Sequence, residues 1–233
     1  ASISDFNSWV LQVQGPTALD LMTAVTGIDH NAFSYYAVTE AEINGLACYI
    51  SRSGWTGERG FEIYSKDDDF NGEALWQYLL CEGAPFQLMA SDVTSMHIRR
   101  LEAGILDYGT DIDQSLNPFE LGLGQFVDLS KDDFIGRRAL LETDRRATRV
   151  MGLRSHEVRP IRGDCLMNEA GDSLGAITAG AWSPSLDCGI GIIRLDRPID
   201  PDVALRLRTE TGDFQAELCP LPFYDPQKRI PRL

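Results

Sequence analysis

The chain has 233 residues and a formal net charge of −14, with 43% hydrophobic and 24% charged residues. This composition is typical of a soluble globular protein that forms one large domain or two small ones. The acidic excess disfavours contact with phosphate backbones and anionic lipid, so we expect neither a nucleic-acid partner nor a membrane partner. No apolar run approaches the roughly 20 residues that span a bilayer, and the N-terminus lacks the pattern of a signal peptide.

Cysteine and histidine are scattered along the chain, as Cys48, Cys81, Cys165, Cys188 and Cys219 with His30, His97 and His156. No cysteine belongs to a CxxC pair, whereas a zinc site needs these residue types clustered at short spacings. We therefore predict no metal site. Buried free thiols in a reducing, cytoplasmic compartment are the expectation.

The first half of the chain mixes strand and helix patterns. Residues 8–27 indicate a short strand, a Gly15-Pro16 turn and a helix that Gly27 ends. Glycine-punctuated β-type runs follow at 34–43, 46–55 and 60–64. Apolar spacing then predicts helices at 68–83 and 88–103.

The second half of the chain differs from the first in composition and in its predicted secondary structure. Residues 105–129 are rich in glycine and acidic residues, which is typical of loops with short strands, and 133–147 form a short charged helix. Beyond residue 149 the pattern consists of short strands at 150–155, 173–180, 188–195, 203–209 and 214–221. Gly, Pro and Asp separate them, which indicates an antiparallel sandwich or barrel. We therefore predict two domains, 1–147 and 148–233, in an α+β protein.

Several motifs follow one another in a fixed order: LQVQGPTALDLM (11–22), SRSGWTGERGFEIY (51–64), IRRLEAGILDYGTDID (98–113), NPFELGLGQFVDL-SKDDFIGRRAL (117–140) and ITAGAWSPSL (177–186). Together they resemble the tetrahydrofolate-dependent aminomethyltransferase family, which includes the glycine cleavage T-protein and the dimethylsulfoniopropionate demethylases. The resemblance implies an α+β folate-binding fold with a C-terminal antiparallel β-barrel. It also implies tetrahydrofolate as the cofactor.

Family members carry a further long stretch before the motif that here begins at Leu11. The resemblance places the aspartate of the T-protein reaction in that stretch, so we assign no catalytic residue. The chain is then a fragment or a split subunit. The partners this implies are a small-molecule methyl donor and either the missing segment as a separate chain or a second copy.

Two branches of the family match different residues. Thr56, Gly57 and Glu58 agree with the T-protein pattern, but Met96 stands where that pattern has a folate-contacting arginine. The demethylase pattern is matched at Trp55, Tyr64, Ile98, Arg100, Glu102 and 117–120. We therefore predict a methyltransferase that moves a methyl group from a sulfonium or methylamine donor, such as dimethylsulfoniopropionate, to folate N5. The alternatives are the glycine cleavage aminomethyltransferase and, in another class, a non-catalytic folate-binding protein.

Glu62 is the main site residue that the resemblance implies. A pterin edge presents adjacent N–H donors, and an ionised carboxylate accepts two such bonds in parallel. The alternative is a glutamate on an edge strand that points to water. The resemblance adds Trp55 and Tyr64 as cleft walls, with Tyr108 and Trp182 as further ligand contacts. We interpret Arg100 and Glu102 as structural, either as a buried pair or as loop caps.

Overall fold

The computed structural model of the protein describes residues 8–66, 70–145, 148–199 and 204–233. Its contacts divide the chain into two compact units. One comprises the described residues up to Met96 together with Gln227–Leu233, and the other comprises His97–Pro226. The predicted boundary at residue 147 remains a prediction.

The first unit is built around an antiparallel sheet with strand order β1-β4-β3-β2. Its strands are β1 (Val10–Gln14), β2 (Val38–Ile43), β3 (Leu46–Ser51) and β4 (Gly60–Ser65). Helices α1 (Ala18–Thr26) and α2 (Gly72–Gly83) follow β1 and β4 in the chain. Gly27 ends α1 in the left-handed conformation, at φ 72°, as the sequence predicts.

Strand alternation gives this sheet one apolar and one polar face. Val13, Ile50, Phe61 and Ile63 are buried in one core cluster with residues of α1 and α2. Successive side chains of a strand point to opposite faces, so Glu62, between Phe61 and Ile63, points away from that core.

Beneath the sheet, His30 is fully buried, and its ring lies edge-on to Phe61 at 4.7 Å between centroids. Its Nε2 lies 2.9 Å from Thr26 Oγ1, and that hydroxyl donates to the Met22 carbonyl. Thr26 has only one proton to give, so His30 is the donor to Thr26 and carries its proton on Nε2. The Nδ1 atom is then a buried acceptor without a partner among the described residues.

Protonation of His30 should destabilise the fold. Burial lowers the pKa of His30, and the Arg52 charge lowers it further. A lowered folded-state pKa means that stability is complete above the unfolded pKa of about 6.5 and falls as the pH drops below it, by up to about 1.4 kcal/mol per pH unit. We expect His30→Phe to flatten the decline in the free energy of unfolding between about pH 6.5 and 5.

Urea unfolding at a series of pH values measures this decline. The exposed His156, changed to phenylalanine, is the matched control and should leave the decline unchanged. The pKa of His97 is also lowered, chiefly by burial, so some slope should persist in His30→Phe. An unaltered slope in His30→Phe would contradict the assignment.

The second unit contains a closed barrel with strand order β10-β5-β8-β7-β6-β9. Its strands are β5 (Val150–Ser155), β6 (Cys165–Asn168), β7 (Ser173–Ser183), β8 (Cys188–Leu195), β9 (Leu205–Thr209) and β10 (Gly212–Cys219). Every neighbouring pair is antiparallel. The predicted α+β class with a C-terminal antiparallel barrel is confirmed, and of the two strand architectures the barrel is the one found.

Helices α3 (Val93–Glu102) and α4 (Arg137–Leu141) are shorter than predicted. The helix predicted at 88–103 begins later because Asp92 Oδ1 accepts a hydrogen bond from Ser95 N, which is an N-cap contact. Likewise Asn71 caps α2 through Ala74 N at 2.9 Å, so that helix starts after the predicted residue 68. Residues 67–69 and 146–147 lie outside the described ranges.

The strand predictions also need correction. The run predicted from residue 34 becomes a strand only at Val38, because Tyr36 has φ 67° and this left-handed backbone interrupts an extended chain. The run predicted at 46–55 ends at Ser51. Strand β6 was not predicted at all, although its Leu166 and Met167 are buried.

The remaining structural expectations concern thiols, metals and membranes. All five cysteines are free, and Cys48 and Cys188 are buried as predicted, but Cys81 is exposed on α2. Within the described residues no helix is both long and apolar enough to cross a bilayer. That same part of the chain contains no group of three or more metal-ligating side chains.

Candidate functional site

Glu62 lies on an inner strand of the sheet. Its neighbours across β4 are Gln12 on β1 and Ser51 on β3. The alternative placed Glu62 on an edge strand, and this is wrong because β4 is hydrogen-bonded to a strand on each side. The carboxylate occupies the middle of the polar face and is half-buried.

Three described donors hold the Glu62 carboxylate. Gln12 Nε2 donates to Oε1 at 3.3 Å, and Tyr64 Oη donates to Oε2 at 3.1 Å. The Ser53 hydroxyl makes a short hydrogen bond to the same Oε2. Ser51 Oγ lies 2.7 Å from Ser53 Oγ and must be the donor there, because the single Ser53 proton goes to Glu62. A chain of polarised hydroxyls thus fixes the carboxylate.

The loop between β3 and β4 is fastened by Gln14. Its Nε2 donates to the carbonyls of Ser53 at 3.2 Å and Phe61 at 3.3 Å, and its Oε1 accepts from Thr56 Oγ1 at 2.7 Å. A Cβ on Gly54 would lie 2.1 Å from Gln14 Oε1, and one on Gly60 would lie 2.4 Å from Gln14 Cδ. These glycines leave the space through which the Gln14 side chain passes.

Gly54→Ala should displace the Gln14 amide and loosen the loop that carries Ser53. Loss of the three bonded contacts should lower the free energy of unfolding by about 2 kcal/mol. Gly72→Ala is the control, since a Cβ there meets nothing within 4 Å. Urea unfolding of both variants provides the measurement, and equal stability of the two would contradict this role of Gln14.

The structure brings the Tyr64 hydroxyl to Glu62, whereas Trp55 is not among the described hydrogen-bond donors to that carboxylate. Burial raises the pKa of the Tyr64 phenol, and the adjacent Glu62 charge raises it further. Trp55 is half-buried in the loop between β3 and β4. Among the described residues, the donors that reach the carboxylate are Gln12, Ser53 and Tyr64.

Tyr108 and Trp182 belong to the second unit. Tyr108 is 65% exposed in the loop after α3, where it forms an isolated bridge with Ile112. Trp182 is 37% exposed near the end of β7. Their role as ligand contacts remains a prediction.

Arg100 and Glu102 are both buried, and each has its own partners. Arg100 forms a 2.7 Å ion pair with Asp111. Glu102 accepts from Ser183 Oγ at 2.6 Å, from Ser185 and from Arg99. The structural role predicted for both residues therefore holds, but the predicted pair between them is not formed. Two separate networks instead join the C-terminal part of α3 to other residues of the second unit.

The sequence prediction missed Gln12, Gln14 and Ser53 as site residues. Gln12 and Gln14 are the polar members of the alternating run 10–14, so their common face could have been read from the pattern. Their pairing with β4 could not have been read from the sequence. Gln12 and Glu62 are about fifty residues apart, and nothing local fixes the register between such distant strands.

Comparison with known proteins identifies the family. Residues 3–131 match the profile of the GCVT N-terminal domain, and residues 148–225 match that of the glycine cleavage T-protein C-terminal barrel domain. The chain therefore belongs to the glycine cleavage T-protein family.

Individual relatives agree with this assignment. An aminomethyltransferase from Saccharopolyspora erythraea is 34% identical over 220 residues, and one from Halothermothrix orenii is 32% identical over 224. These matches cover 92% and 93% of this chain but 59% and 61% of the relatives, so the chain spans about three fifths of their length. The glycine cleavage system aminomethyltransferase T from Bartonella henselae superposes with a TM-score of 0.78 at 26% identity, covering 93% of this chain and 60% of that one.

Proposed function

We propose that the protein transfers a one-carbon group to tetrahydrofolate and that Glu62 binds the donor edge of the pterin. The observation that carries the proposal is the ordered carboxylate on the polar face of an inner strand. Gln12 and Ser53 fix its orientation before any ligand arrives. A pre-oriented carboxylate loses little freedom when it accepts paired N–H donors, which favours binding.

Glu62 and Tyr64 fit a planar ligand that carries N–H donors along one edge. Glu62 supplies the negative acceptor, and the Tyr64 ring beside it supplies a flat apolar surface. We further propose Trp55 as a contact of this ligand, and Tyr108 and Trp182 as ligand contacts within the second unit. When bound, tetrahydrofolate would supply the N5 nucleophile, while this chain's residues hold and orient it.

For the one-carbon donor, we propose the aminomethyl group of the glycine cleavage reaction. The similar proteins named above are aminomethyltransferases, which supports this alternative over the methyl donors that the motif comparison favoured. Methyl transfer from a sulfonium or methylamine remains a second candidate because Trp55 and Tyr64 match the demethylase pattern. A cytoplasmic location and a second copy of the chain as partner belong to the same proposal.

Product analysis separates these functions. The purified protein is incubated with tetrahydrofolate and either an aminomethyl-lipoyl carrier protein or dimethylsulfoniopropionate. We expect 5,10-methylenetetrahydrofolate to form when the donor is the carrier protein, and no folate product to form when the donor is dimethylsulfoniopropionate. Formation of 5-methyltetrahydrofolate from the sulfonium would favour the demethylase function. Folate binding without either product would favour a non-catalytic binding protein, and absence of binding would contradict the whole proposal.

A further inference from the structure

The Glu62 carboxylate is nearly saturated with hydrogen bonds before a ligand binds. A carboxylate offers about four acceptor positions, two on each oxygen. Ser53 and Tyr64 occupy both positions on Oε2, and Gln12 occupies one on Oε1. A ligand with two adjacent N–H donors needs one position on each oxygen. One of the donors on Oε2 must therefore leave.

Ser53 is the donor that stays. Its hydroxyl also receives the proton of Ser51 at 2.7 Å, so moving it would break two hydrogen bonds. Its backbone carbonyl is held by Gln14 Nε2 at 3.2 Å. The Gln14 contacts with Phe61 and Thr56 fasten the remainder of the loop.

Tyr64 is the donor that can leave. Its hydroxyl reaches Glu62 from the same strand, at the longer distance of 3.1 Å. Among the described residues Glu62 is the hydrogen-bond partner found for that hydroxyl. The phenol lies on the half-buried polar face, where rotation of the side chain returns the hydroxyl to water at the cost of one bond.

We propose that the Tyr64 hydroxyl stands in for one ligand donor and is displaced when a ligand with two adjacent N–H donors binds to Glu62. Tyr64 is thus a specificity-determining residue. A ligand with a single N–H donor can use the open position on Oε1 and leave the Tyr64 hydroxyl in place. A ligand with two adjacent N–H donors must displace that hydroxyl from Oε2. This inference rests on the proposed function, since it concerns how the pterin edge reaches Glu62. It also predicts that removing the hydroxyl improves binding.

The test is a titration of tetrahydrofolate into the wild-type protein and Tyr64→Phe by calorimetry. Without the competing hydroxyl, Tyr64→Phe should bind about fivefold more tightly. Tyr49→Phe is the matched control, because Tyr49 lies opposite Tyr64 in register and its ring faces the Lys66 ammonium at 4.8 Å. The control should bind like the wild type.

A double variant excludes a general packing effect of the lost hydroxyl. In a Glu62→Gln background the gain from Tyr64→Phe should shrink or disappear, because the competition is for the carboxylate. Unchanged or weaker binding by Tyr64→Phe, with the wild type binding, would overturn the displacement and leave the proposed function intact. A gain that persists in the Glu62→Gln background would likewise overturn it. If neither the wild type nor Tyr64→Phe binds tetrahydrofolate, the proposed function fails and the displacement fails with it.

Discussion

Asp111→Ala is expected to lower the free energy of unfolding by about 3–5 kcal/mol, because it leaves the buried Arg100 guanidinium without its counter-charge. The Arg100 and Asp111 side chains are 3% and 0% exposed, and their charged atoms lie 2.7 Å apart. Asp111 Oδ2 also accepts from Asp107 N at 2.9 Å, and Oδ1 accepts from Thr178 Oγ1 at 2.6 Å. One carboxylate thus joins α3, the following loop and strand β7.

The control for this variant lies two residues away. Asp113 is paired with Arg194 at 2.8 Å, but these side chains are 50% and 30% exposed. Exposed ion pairs contribute little because water screens them, so Asp113→Ala should cost far less than Asp111→Ala. Urea unfolding of both variants gives the comparison, and similar losses would contradict the role assigned to burial.

A double variant tests the cause of the loss. Replacing both partners of a buried ion pair by apolar residues of similar size removes the uncompensated charge. Arg100→Met with Asp111→Leu should therefore recover a large part of the stability lost in Asp111→Ala. If the double variant is less stable than Asp111→Ala, the isolated Arg100 charge is not the source of the loss.

Much of the fold could be predicted because its signals are local. Phe61 and Ile63 alternate with Glu62 and Tyr64, and this period of two predicts a strand with one apolar face. The barrel strands β5, β7 and β8 are apolar runs bounded by turn residues, which predicts them in the same way. Strand β6, in contrast, is short and bounded by polar residues, so no periodic signal distinguishes it from a loop.

The site could be predicted only in part because its geometry depends on long-range contacts. The family resemblance singled out Glu62, and the structure places Tyr64 against it. Gln12 lies fifty residues earlier in the chain, and Ser53 reaches Glu62 across a loop whose path depends on Gln14. Arg100 pairs with Asp111 and not with Glu102, and the sequence does not single out Asp111 because it is one of several acidic residues in a glycine-rich segment.

We propose above that the Glu62 carboxylate binds the donor edge of a reduced pterin. Glu62→Gln keeps the shape of the side chain but places an N–H₂ group where a ligand donor must bind. The lost charge-assisted hydrogen bonds should weaken tetrahydrofolate binding about 10-fold to 100-fold. Glu40→Gln is the matched control, since Glu40 lies on the same sheet face, 66% exposed, and pairs with Lys66 at 2.9 Å.

Calorimetric titration of tetrahydrofolate into the wild type and these two variants is the most direct measurement. We expect Glu62→Gln to lose most of the affinity and Glu40→Gln to bind within about twofold of the wild type. Equal affinity of Glu62→Gln and the wild type, or equal losses in both variants, would contradict a pterin contact at Glu62.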